Sequence, residues 1–599
     1  MIYHCEDHTC NYWDEGEKLP ERCPQCGRKL LRANEADMTG DDWTALGNTL
    51  WYAEASDKKR MVDCFRKAAY LGSAWGVCNL GICMEQGNGV EADPVQAFWL
   101  YQQAVEMGSL NAVCCLGVCY QYGIGTAPDA KQAAELYCKA AEYGSPRGQM
   151  LLARAFHDGI GVEADTAEAV YWVRAAAYQR YGEGMHRLGV CYEYGDGVEQ
   201  NWERAVHWFR EAAESGVSAA MTDLGYCYEK GCGVEQSWEQ AFSWYRRGAE
   251  CGNPVSMCNL GWCYKMGYGV EQNWQEAIKW YEQGAQCGNL QSMHNLAYCY
   301  ERGEGVEQNE DRALYWYRRS AEGGHGGAMC NLGWCYKRGY GVEQNLQEAV
   351  KWYEQGAQCG NLQSMHNLAC CYERGEGVEQ NMTEAIRWYT AAAEGGNADD
   401  MYNLGWQYDH GEGVEQDMKK AICWYERAAE QNHPAAMNSL GECYAMGRGV
   451  PRDLETAMEW YRRAAELGEA MADYNMGWHL EQAGKLSEAY AHYRKAADGN
   501  DDSAWWALGR FYENGVVVAQ DGKEARRCYE TGEKLGSVKC KMRLARCKLL
   551  GIGGRREKKA GLDLCRQALE LAKESSEKED YGYEAEMNLL RRTIAENES

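Results

Sequence analysis

Leucine returns every 36 residues along most of this chain. Leu80, Leu116, Leu152, Leu188, Leu224, Leu260, Leu296, Leu332, Leu368, Leu404 and Leu440 keep that spacing, Met476 continues it, Leu46 precedes by 34, and Leu508 and Leu544 follow, which marks fifteen units. Around each mark the apolar residues recur at helical spacing, so every unit predicts two helices joined by a turn. The first helix carries L-G-x-x-Y, the turn reads G-x-G-V, and the second helix is rich in Glu-Ala and Trp-Tyr. In the unit beginning NLGWCYKMGYGVEQNW at Asn259, Gly267 and Gly269 supply the backbone freedom that ends the first helix. Asn273 then stands where it caps the second. Ala277, Trp280, Tyr281 and Ala285 form the apolar stripe of that second helix. The series Trp172, Trp208, Trp244, Trp280, Trp316, Trp352, Trp388, Trp424 and Trp460 is therefore expected to be core. Two short helices cannot cover their own apolar faces, so stability must come from stacking one pair on the next.

The pattern A-M-x-N-L-G-x-x-Y-x-x-G-x-G-V, followed by E-A-x-x-W-Y-x-x-A-A-E-x-G, resembles the Sel1-like repeat family, relatives of tetratricopeptide repeats. WTALG at Trp43 and WALGRFY at Trp506 lean toward the 34-residue tetratricopeptide form. The resemblance implies an all-α fold, a right-handed α-solenoid superhelix of about fifteen two-helix repeats, and a protein-binding or scaffolding role. The expected division is a ribbon at 1–32, a linker at 33–40, the solenoid at 41–557, and a last array helix with a capping helix at 558–599. Some secreted members of the family carry one disulfide per repeat and are credited with penicillin binding. Here only Cys251 and Cys258 approach that pairing, while Cys287 and Cys359 stand opposite His294 and His366 at the same spacing. That departure weakens a β-lactamase-like hydrolase as the alternative reading.

With the repeat Leu at 0° and about 100° per residue, Gly at +1 and Tyr at +4 face the core, and positions −1, +2 and +6 face away. By similarity to tetratricopeptide arrays, that side lines a concave surface where extended peptides lie. At −1 stand Asn259, Asn295, Asn331, Asn367 and Asn403; at +2 stand Trp262, Tyr298, Trp334 and Trp406; at +6 stand Lys230, Arg302, Arg338 and Arg374. Amides, large aromatics and guanidiniums are the groups that hold a peptide backbone and its acidic side chains. The amides also suit bridging between helices, and Arg302 and Arg374 each follow a glutamate that suits local pairing. The stretches Cys258 to Asn309 and Cys330 to Asn381 differ only at Met266/Arg338, Trp274/Leu346, Ile278/Val350 and Tyr298/Cys370. Two of these four changes fall at +6 and +2, which reads as a duplication that lengthened the surface and was then retuned.

A formal charge of −27 opposes general attraction to nucleic acid or anionic lipid. No apolar run reaches the roughly 20 residues of a membrane helix, and the start MIYHCEDHTC lacks a signal-peptide core, so a cytoplasmic location is expected. Of 30 cysteines, ten occupy +3 of the repeat, from Cys83 to Cys547. Stacked helices hold such positions about 8–10 Å apart, too far for disulfides, which predicts a ladder of buried thiols. Ahead of the array, Cys5, Cys10, Cys23 and Cys26 form C-x4-C and C-P-Q-C-G pairs suited to a closed, structural Zn²⁺ ribbon. Its acidic neighbours Glu6, Asp7, Asp14 and Glu15 favour protein over nucleic acid as a contact, a nucleic-acid factor being the third reading. No G-x-S-x-G, H-E-x-x-H, phosphate-loop or dinucleotide motif occurs, so the expectation is a non-enzymatic scaffold binding an extended, acidic polypeptide.

Overall fold

The computed structural model describes residues 2–5, 13–15, 30–33, 35–51, 55–578 and 584–598. Among them are thirty-one α-helices, and the body of the chain is an all-α repeat solenoid. It divides into two compact units, Met1–Asn309 and Glu310–Ser599. At the start of the first unit, strands β1 (Ile2–Cys5), β2 (Trp13–Glu15) and β3 (Leu30–Ala33) pair antiparallel in the order β2-β1-β3. The zinc expectation falls on Cys10, Cys23 and Cys26, which lie outside the described residues, and on Cys5, whose side chain does too.

Within each unit the repeats follow the predicted grammar. The first helix Pro254–Met266 ends on Gly267, whose positive φ of 75° lets its N–H return to the Cys263 carbonyl. Asn273 caps Trp274–Gln286 by accepting from the Glu276 N–H at 3.1 Å. Gly269, also at positive φ, lies so close to the Trp238 carbonyl of the preceding repeat that a Cβ there would collide with it. The turn is thus where one repeat seats on the last.

The core of a repeat forms around one ring. Tyr281 is fully buried with Leu260, Ala277 and Cys263, and a Cβ on Gly261 would sit 2.7 Å from its ring. The same place is held by Tyr101, Tyr137, Phe209, Tyr245, Tyr317, Tyr353, Tyr389, Tyr425, Tyr461, Tyr493 and Tyr529. Here the tryptophan expectation needs correction. Trp208, Trp244, Trp280, Trp388, Trp424 and Trp460 are only half-buried and pack against the core from its edge. On the second helix Ala277, Tyr281 and Ala285 are spaced by four, which places Trp280 about 100° from the centre of the stripe. Its flank position leaves one face of the indole for Arg and Lys stems, as where the Arg247 guanidinium lies 4.3 Å from the Trp244 ring centre.

The +3 cysteines are buried and form no disulfide, as expected, and neither do Cys258 (buried) and Cys251 (exposed), the pair nearest to a family-type disulfide. Desolvation pushes the Cys83 and Cys263 thiols up to about 12, so they pack as small neutral hydrophobes. No helix among the described residues is long and apolar enough to cross a membrane.

Candidate functional site

The outward face of the first helices holds the three predicted rows, and tertiary packing treats each differently. Lys230, Met266 and Arg302 in the first unit, and Arg338, Arg374 and His410 in the second, are exposed, as their angle on the helix requires. Most of the cations sit beside carboxylates: Lys230 is 2.8 Å from Glu229, Arg302 3.7 Å from Glu301, and Arg374 4.0 Å from Glu376. Exposed pairs of this kind contribute about 0–1 kcal/mol and exchange readily for a ligand carboxylate.

The aromatic row is half open. In the first unit Trp262 lies 5.6 Å from Trp238 and 4.9 Å from Tyr268, which stack on each other at 4.4 Å, and its indole is half-buried. Tyr298 is flanked by Lys265 Nζ at 4.6 Å and the Arg302 guanidinium at 5.6 Å. In the second unit Trp334 is 36% exposed against Tyr340, and Trp406 stacks on His410 at 4.3 Å.

The amide row departs most from the helical-wheel expectation. Asn259, Asn295, Asn331, Asn367 and Asn403 are all half-buried, because successive first helices pack beside one another and cover the −1 position. Asn295 Nδ2 donates to Cys258 Sγ at 3.6 Å and Asn367 Nδ2 to Cys330 Sγ at 3.3 Å. Part of the row therefore ties one repeat to the one before it.

One feature in the first unit escaped the sequence reading. Where other repeats bury Tyr or Phe, the helix Thr166–Tyr178 has Val173. The missing ring coincides with a cavity of about 450 Å³ walled by Leu151, Ala153, Val170 and Val173. Its mouth carries Arg154, His157, Asp158, Arg187 and Asp196, joined by ion pairs of 2.7–3.7 Å. On one wall Arg147 donates to the Asn111 side-chain oxygen at 2.5 Å and to Cys115 Sγ at 3.5 Å. The size is that of a small-ligand pocket, apolar below and polar above. The signal was present as a gap in the 36-residue aromatic series between Tyr137 and Phe209.

The Sel1 repeat model matches fourteen segments between residues 76 and 573, leaving the first helix pair outside it. A solved relative, the c5321 protective antigen of uropathogenic Escherichia coli strains, which displays an SLR fold, is 33% identical over 75% of this chain and 97% of its own, with a TM-score of 0.50. A Sel1 repeat protein from Oxalobacter formigenes is 31% identical over 41% of this chain and 99% of its own, with a TM-score of 0.39. No curated protein matches.

Proposed function

Because the chain belongs to the Sel1 repeat family, we propose that it is a non-enzymatic interaction scaffold whose first-helix faces bind an extended, acidic polypeptide. Its family is one of protein-interaction scaffolds, and no catalytic family is indicated. The observation that carries the finer reading is the recurrence, on the outward side of the first helices in each unit, of exposed cations and half-open aromatics at fixed positions: Arg302 one turn after Tyr298 and Arg338 one turn after Trp334, with Trp262, Trp406 and Arg374 at the same positions of other repeats. A strongly acidic chain that concentrates cations in such a row has a surface selective for carboxylates. The aromatic rings supply the apolar contact that anchors them. Asn259, Asn295, Asn331, Asn367 and Asn403 would offer their remaining amide groups to the bound backbone.

The test is fluorescence anisotropy with labelled peptides rich in Asp and Glu and containing Phe or Leu. The unsubstituted protein is expected to bind them with an affinity that falls as salt rises. The triple variant R302E/R338E/R374E should bind at least about tenfold more weakly with unchanged far-UV circular dichroism, since all three side chains are exposed. Equal binding by both proteins would refute the assignment.

Zinc is part of the same proposal. Cys5, Cys10, Cys23 and Cys26 would hold one structural Zn²⁺ in a closed four-thiolate site, and the ion would supply most of the folding energy of so short a segment. Metal analysis of purified protein is expected to find one zinc per chain. Changing the four cysteines to serine should remove it without altering the helical signal of the repeats; zinc retained in that variant would place the metal elsewhere.

A further inference from the structure

The near-copy hides a chemical difference. Tyr298 of the first stretch becomes Cys370 in the second, and the change sets three reactive side chains in line. Cys370 lies in mid-helix within Leu362–Arg374, one turn beyond His366, and its Sγ is 3.5 Å from His366 Nε2. The other ring nitrogen, Nδ1, is 2.7 Å from Asp400 Oδ1, on the first helix of the next repeat. Asp400 is fully buried, and its Oδ2 has no hydrogen-bond partner among the described residues. From the intervening second helix the Tyr389 hydroxyl lies 3.3 Å from Cys370 Sγ and 3.0 Å from a Glu373 oxygen. By register, one repeat pair earlier Tyr298 and Ala328 stand where Cys370 and Asp400 stand here, with His294 at the place of His366.

A carboxylate with no exposure must be paired, and His366 is the cation recorded against Asp400. The Asp400 hydrogen bond lifts the His366 pKa to about 10, keeping the ring an imidazolium. Burial alone would raise the Cys370 thiol, but the hydrogen bond from His366 and the nearby Tyr389 hydroxyl outweigh it and hold the group below its ordinary value. Its neighbour Cys371, more deeply buried and without those partners, is pushed up to about 11. Cys370 is also only partly buried, which leaves a path for an electrophile.

The position of the nucleophile decides what it attacks. A residue in mid-helix has surrounding backbone N–H groups already bonded within the helix, leaving none to stabilise the oxyanion of acyl transfer. Attack on sulfur forms no oxyanion. We infer that Cys370, His366 and Asp400 form a nucleophilic thiolate centre that captures small disulfides. The Cys370 thiolate bonds to one sulfur of R–S–S–R′, the S–S bond breaks, and R′–S⁻ leaves with the electron pair and takes the proton from His366 Nε2. One disulfide is consumed and one is formed: Cys370 is oxidised, R′SH is the reduced product, and no further oxidant is required. Cys370 meets the electrophile, while Asp400 is a positioning residue that keeps His366 charged and oriented.

The test treats the full-length, pre-reduced chain with the uncharged reagent dithiodipyridine at about pH 6.5, where an ordinary thiol is about 1% ionised. Peptide mass spectrometry of quenched samples follows Cys370 against the exposed Cys251, Cys287, Cys359 and Cys423. Cys370 is expected to label at least about tenfold faster than each of these. His366→Gln should reduce it to their rates, and Asp400→Asn should move the pH at which its labelling half-rises toward the ordinary thiol range. Cys370 labelling no faster than the exposed cysteines, or at an unchanged rate in a folded His366→Gln variant, overturns the inference. Should that variant fail to fold by circular dichroism, the comparison within the unsubstituted chain decides alone.

Discussion

Tyr245→Ala is expected to destabilise its unit by about 3–5 kcal/mol, the usual cost of deleting a large buried aromatic. The ring is fully buried among Ala241, Ala249, Met257, Leu260 and Cys263, and a Cβ on Gly225 would meet it at 2.6 Å, so no neighbour is placed to fill the space. Its hydroxyl donates to Glu229 at 2.8 Å, and that carboxylate would lose a partner as well. A stacked array is stabilised by each repeat and its nearest neighbours, so the loss should appear locally. Hydrogen exchange is expected to quicken across Ser218–Lys230 and Trp238–Glu250 and the repeats on either side before the rest of the unit responds. The informative comparison is Trp244→Ala. That indole is larger but half-buried at the edge of the stripe, with Arg247 over its face. Its removal should cost less than the tyrosine in urea denaturation, and the reverse order would show that the rings have been assigned to the wrong layer.

The second large effect is expected at the C-terminal end. Arg543→Met should cost about 3–5 kcal/mol, the range for stranding one member of a buried ion pair. Arg543 Nε and Nη2 each donate to a Glu586 oxygen at 2.7 Å, and Nη1 lies 3.3 Å from Glu513. The arginine and Glu586 side chains are 15% and 8% exposed. Methionine keeps much of the packing volume but leaves the Glu586 carboxylate buried without its fork, whereas Glu513 retains Arg546. Helix Glu584–Glu598 should then loosen from Val538–Leu550 and become sensitive to trypsin. The double change R543M/E586L is expected to recover most of the stability, because an apolar pair of similar volume replaces a buried ion pair at little cost. A double variant as unstable as the single one would show that the loss is packing and not a stranded charge.

The two experiments probe the places where reading along the chain and packing in space diverge. Trp244 and Tyr245 are adjacent letters, both aromatic and both repeated at 36 residues, and periodicity alone weights them alike. Only the flanking alanines at a spacing of four indicate which ring lies at the centre of the stripe. The asparagine row was legible as a row but not in its direction. A helical wheel describes one helix in solvent, whereas the −1 position is covered by a neighbouring first helix, as where Asn295 and Asn367 donate to Cys258 and Cys330 of the repeat before. The +6 cations are exposed, as their angle predicts, because +6 lies at the end of the helix beside the turn.

By itself the sequence determined the period, the two-helix unit, the glycine that ends most first helices, the Asn, Ser or Asp that caps most second helices, and the buried ladder of +3 thiols. Each of these depends on interactions within about one repeat, and fifteen copies repeat the signal. Tertiary structure alone decided where the amides point, that a cavity opens at Val173, and that Cys370, His366 and Asp400 meet. Those outcomes join residues some thirty positions apart on separate helices, and their geometry is set by how closely one repeat seats on the next.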